Sequence, residues 1–131
     1  MYLVISSQDI KNLTLALSDG KDLTVSEEFF VPPERHLVSI DQALSKWKVA
    51  INGLKGVIVV TGPGSFTASR VSVTIANSIA MTQKIPVWGI ENNNELPLKE
   101  LIVDIDLSKL PSKTFTLPAY NRGPNITLPK K

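Results

Sequence analysis

The chain has 131 residues, enough for one domain and too few for two ordinary ones. Hydrophobic residues make up 43% of it, which supports a packed core and excludes a disordered or low-complexity chain. With 14 basic and 12 acidic residues the net charge is +2, no electrostatic footprint for nucleic acid, and the absence of cysteine excludes disulfides, thiolate metal sites and a cysteine nucleophile.

Tyr2 to Ser6 is a short apolar run, the pattern of a buried central strand. The run lacks a basic flank and is too short for a signal peptide or a membrane span, so a cytoplasmic protein is expected. Leu13, Leu15 and Leu17 alternate with polar or small residues. The tight-turn dipeptide Asp19-Gly20 follows, then Leu23, Val25 and Phe29-Phe30, so residues 2–30 are expected to form a three-stranded antiparallel meander. Pro32-Pro33 breaks the chain. Leu37, Ile40, Leu44 and Trp47 then recur at helical spacing, predicting a helix over 34–48. Val57 to Val60 reads as a strand covered on both faces, residues 66–83 as a second helix, and Pro86 to Ile90 as a fifth strand. Three strands, a helix, a strand, a helix and a strand predict an α/β fold. Its five-stranded mixed sheet combines the meander with two crossover strands and carries two main helices, the layout of a ribonuclease H-like half-domain. Residues 1–92 form this unit. Residues 93–131 are expected to be a short proline-rich C-terminal extension, with 101–103 a short strand or helical turn and 120–131 an extended tail.

The second helix has two uncharged arcs. Ala68, Val71, Ser72, Ile75 and Ile79 share one, and Ser69, Val73, Ala76 and Ala80 lie nearly opposite. A surface helix has one apolar stripe and a charged back. The large-aliphatic arc is therefore expected to cover the sheet and the small-residue arc to receive another helix, from a partner or from the first helix of the same chain.

The segment Gly62, Pro63, Gly64, Ser65, Phe66 and Thr67 joins an apolar strand to a helix N-terminus, a junction where backbone N–H groups point outward. It lacks the lysine of the Walker pattern, the third glycine of the dinucleotide fingerprint and the second glycine of a nucleophile elbow. Ser65 or Thr67 reads as a helix cap. His36 is the only histidine, so no common zinc set can be assembled, and nothing in the chain marks an acid–base pair. No catalytic residue, metal or cofactor is expected.

The stretch from Val59 through Thr61-Gly62-Pro63-Gly64-Ser65-Phe66-Thr67 to Arg70-Val71 resembles the Gly-Pro-Gly-Ser-Phe-Thr-Gly-Leu-Arg-Ile hallmark of the TsaB (YeaZ) family. Ile85-Pro86-Val87-Trp88-Gly89-Ile90 and Arg35-His36 are similar to further family segments, as is Leu117 to Pro124 near the end. The resemblance implies the actin-like ATPase (ASKHA) superfamily, in a form lacking most of the second domain. It also implies a non-catalytic partner of the TsaD transferase, which modifies adenosine 37 of tRNA to threonylcarbamoyladenosine. The two would pair through a helix bundle, with a TsaE-like ATPase in a larger complex and tRNA engaged only indirectly. The interface expected from it comprises His36, Ser69, Arg70, Val73, Ala76, Asn77 and Ala80. A homodimer through the same surface and a weak hydrolase or phosphotransferase are the alternatives. The aspartate that actin-like enzymes carry on the first strand is Ser6 here, which argues against phosphotransfer.

Overall fold

In the computed structural model, residues 1–62, 66–92 and 98–103 are described. Five strands, β1 (Tyr2–Asp9), β2 (Asn12–Ser18), β3 (Leu23–Phe29), β4 (Gly56–Gly62) and β5 (Val87–Glu91), form one sheet in the order β3-β2-β1-β4-β5. β1 and β2 pair antiparallel, as do β2 and β3, whereas β1–β4 and β4–β5 are parallel. The expected meander and crossovers are therefore present. Their helices are α1 (His36–Lys46), preceded by a 3-10 turn at Pro33–Arg35, and α2 (Phe66–Gln83).

The period-2 pattern of the strands divides the core. One row of partners runs Val25, Leu17, Leu3, Val57 and Val87 across all five strands. This row packs with Ile5, Leu15 and Val59 under α1 and α2, which contribute Ile40, Ala43, Leu44, Val73, Ala76, Ile79 and Ala80. The opposite face holds Val4, Ala16, Ile58, Val60, Trp88 and Ile90. Against it lies α3 (Leu98–Val103) with buried Leu101, so residues 101–103 are a helical turn rather than a strand. The sequence features beyond residue 103, including the expected extended tail and the 117–124 segment, lie outside the described residues.

Asp19-Gly20 makes its turn as the dipeptide predicts. Gly20 takes a φ of +107°, and the Asp19 carboxylate accepts the Lys21 and Asp22 N–H groups at 2.9 Å. These backbone donors, that of Asp22 foremost, hold the Asp19 carboxyl below its usual range.

Gly56 is required for packing. A Cβ there would sit 2.5 Å from the Trp88 ring and 3.0 Å from Tyr2, whose rings meet edge to face at 5.7 Å. Gly56→Ala is expected to lower stability by about 1–3 kcal/mol through overpacking, read as a lower urea midpoint at unchanged m-value.

Candidate functional site

β1, β4 and β5 are parallel and end on the same side, where α1 and α2 begin. The Thr61 hydroxyl donates to the Ile90 carbonyl at 3.1 Å, and the Asn92 N–H donates to the Gly62 carbonyl at 2.8 Å, tying β4 to β5. Gly62 has a φ of +144°, open to glycine alone. Pro63, Gly64 and Ser65 and the Phe66 side chain lie outside what is described. Thr67 is exposed in the first turn of α2.

His36 opens α1 and is fully buried. Its Nε2 lies 3.4 Å from the Ser7 hydroxyl, which itself donates to the Asn12 carbonyl at 2.8 Å. Because Ser7 spends its one proton on Asn12, the His36 contact requires the proton on Nε2, leaving Nδ1 as the bare acceptor. Nδ1 has no hydrogen-bond partner among the described residues, and neither do the buried hydroxyls of Ser69 and Ser72 on α2. Burial pushes the imidazole pKa below its ordinary value, opposed in part by the Glu34 carboxylate. Sequence reading placed His36 at the edge of an interface. It is instead interior, because the turn at Pro33–Arg35 drops the start of α1 onto the end of β1. The contact with Ser7, 29 residues away, leaves no local sequence signal.

The small-residue arc of α2 turns inward, against expectation, together with much of the large-aliphatic arc. Ser69, Val73, Ala76 and Ala80, expected to face a partner, are 0–2% exposed and lie inward. The strands present Leu3, Ile5, Val57 and Val59, and such bulk fills the interface best when the facing helix is small enough to approach closely. Val71 and Ile75 are pushed to the half-buried flank, with Ala68, Ser72 and Ile79 buried beside the small arc. Of the expected interface residues, Arg70 is exposed and Asn77 half-buried, on the outward side with Thr74, Ser78 and Met81.

Among the described residues no group of three or more His, Cys, Asp or Glu is placed to hold a metal ion, and no helix is long and apolar enough to cross a membrane. Ser6 and Ser7 lie on β1, which runs on to Asp9.

A meander continued by two parallel strands, with α1 and α2 on one face, is the ribonuclease H-like layout expected from the sequence. A solved structure of YeaZ from Pseudomonas aeruginosa superposes with a TM-score of 0.60 at 21% identity, covering 70% of this chain and 43% of that one. The model of the TsaD family, tRNA N6-adenosine threonylcarbamoyltransferase, matches residues 33–103, more than half of the chain. The chain belongs to this TsaD family, and its homologues include the TsaB (YeaZ) proteins. The tRNA threonylcarbamoyladenosine biosynthesis protein TsaB of Buchnera aphidicola is 36% identical over 63 residues, 48% of this chain and 30% of that protein. TsaB of Bacillus subtilis is 25% identical over 95 residues, 69% of this chain and 42% of that protein. The chain thus spans about a third to two fifths of the TsaB relatives it matches.

Proposed function

We propose that this protein is a non-catalytic partner of a TsaD-like transferase in the formation of threonylcarbamoyladenosine in tRNA. The likeness to the TsaB proteins carries the reading, within the family match over residues 33–103. It is supported by Ser6 on the first strand, the position where the resemblance places an aspartate in actin-like enzymes.

The docking surface is the outward side of α1 and α2. Leu37 is 61% exposed, Val38 43% and Met81 71%, large apolar side chains on the two neighbouring helices, and Arg70, Thr74 and Asn77 complete the α2 side. The small-residue arc buried under the helix supports this surface from within rather than contributing to it. A stable pairing needs about 1,000 Å² of buried area, and both helices carry exposed large apolar side chains to contribute to it. A TsaE-like ATPase would join through the transferase.

Size-exclusion chromatography with light scattering, on this chain mixed with the TsaD-like transferase of the same source, tests the reading. A one-to-one complex is expected for the natural chain. Leu37→Asp with Met81→Asp, both at exposed sites, is expected to dissociate it without changing the circular dichroism spectrum. A tight homodimer that ignores the transferase would replace the reading with self-association.

A further inference from the structure

We propose that protonation of His36 releases the first turn of α1 and, with it, the apolar docking surface, so that the protein holds its partner while His36 is neutral and is freed in acid. The inference rests on the docking surface proposed above and names what controls it.

The first turn of α1 is inverted with respect to hydropathy. His36 is fully buried, whereas Leu37 and Val38, the two aliphatic residues that follow it, are exposed. Apolar burial alone would select the opposite arrangement. Of the large side chains in this turn, only His36 reaches the interior, where it meets Ser7 of β1 at 3.4 Å.

Little else fixes the start of the helix. Arg35 at the cap position makes no side-chain bond, and the first turn of α1 has no acidic residue to meet the helix dipole. Small, buried Ser39 remains, with the backbone bonds of the preceding turn, Arg35 N–H to the Pro32 carbonyl at 2.9 Å and His36 N–H to the Pro33 carbonyl. The large anchor of the turn is therefore also its one titratable residue.

With one proton on Nε2, a second must go to Nδ1, which has no acceptor among the described residues. The surroundings offer little compensation. β1 presents the Ser7 hydroxyl and β2 the Asn12 carbonyl that Ser7 bonds, with exposed Lys11 in the turn between them. α2, which packs against the 33–35 turn, carries the buried Ser69 and Ser72 hydroxyls and exposed Arg70. In the 33–35 turn itself Glu34 and Arg35 are exposed, and among the described groups Glu34 is the carboxylate whose charge acts on the ring. The side chains of Gln8 and Asp9 lie outside what is described. A second proton thus puts a cation in a packed interior, and withdrawal of the first turn is the movement that returns it to water. Leu37 and Val38 move with it, being the next residues of the helix. Conversely, a partner seated on them holds the turn in place and makes His36 harder to protonate.

Nuclear magnetic resonance of the full chain from pH 7.5 to 5 tests this, since a single histidine gives a single imidazole signal. The Leu37 and Val38 amide signals are expected to shift with the same midpoint as the imidazole while those of Val57 to Val60 on β4 stay in place. In His36→Gln, Leu37 and Val38 are expected not to follow that midpoint. An imidazole that stays neutral to pH 5, Leu37 and Val38 signals that ignore it, or a spectrum that collapses as a whole at its midpoint overturns the proposal. So does an equal response in a folded His36→Gln. The titration of the natural chain decides by itself if that variant does not fold. Affinity for the transferase is expected to drop at least about fivefold below the imidazole midpoint in the natural chain and to stay level in His36→Gln; an equal drop in both overturns the proposal. No complex even at pH 7.5 would sink the proposed function alone, because the release of Leu37 and Val38 is read without the transferase.

Discussion

Ala76→Glu is expected to leave the protein unfolded, with no cooperative transition in urea and loss of the helical circular dichroism signal. Ala76 is fully buried at the centre of the inward arc of α2, between Val73 and Ala80, each 2% exposed. Its neighbours in that layer are aliphatic side chains of the central strands, so a carboxylate would meet neither a cation nor water. An uncompensated buried charge of this kind costs about 4 kcal/mol or more, a large part of the 5–15 kcal/mol typical of a small domain (about 0.1 kcal/mol per residue). The matched substitution on the outward side of the same helix, Arg70→Glu, is expected to change stability by only about 0.5 kcal/mol. A folded, fully stable Ala76→Glu protein would mean that α2 is rotated and that its small residues face outward after all.

Stability is expected to fall as the solution is acidified below about pH 6.5, and His36 is the cause. Buried, with no partner for Nδ1 among the described residues, the imidazole titrates below its ordinary value of 6.5 in the native state. Between 6.5 and that lowered value the unfolded chain binds a proton that the folded one refuses. The contribution of neutral His36 is therefore fully present above pH 6.5 and is lost as pH falls toward the native value, by up to about 1.4 kcal/mol per pH unit. Urea unfolding at half-unit steps from pH 7.5 to 5 measures the slope directly. His36→Gln is expected to flatten the curve in this window whatever its own stability. An equal slope in that variant would assign the effect to carboxylates instead.

Much of the architecture was readable from local pattern. The strands alternate or run apolar for physical reasons that act within a few residues: Leu13, Leu15 and Leu17 must share a face, and Gly20 alone accepts the turn it occupies. The faces of α2 were not readable in the same way. Both of its arcs lack charge, so periodicity defines the arcs but cannot say which one the sheet takes. The deciding quantity is the volume presented by Leu3, Ile5, Val57 and Val59, and these reach α2 only once β1 and β4 are paired.

The burial of His36 against Ser7 is of the same kind, since the two are 29 residues apart in the chain. Hydrophobic spacing, turn chemistry and the glycine-rich junction determined the order of the elements, the mixed sheet and the family resemblance, because each depends on neighbours in the chain. Only the tertiary structure decided which helix surface is inside and that His36 is buried beside Ser7. Those outcomes depend on side-chain volume and distance between segments that meet through strand pairing, and composition and periodicity carry neither.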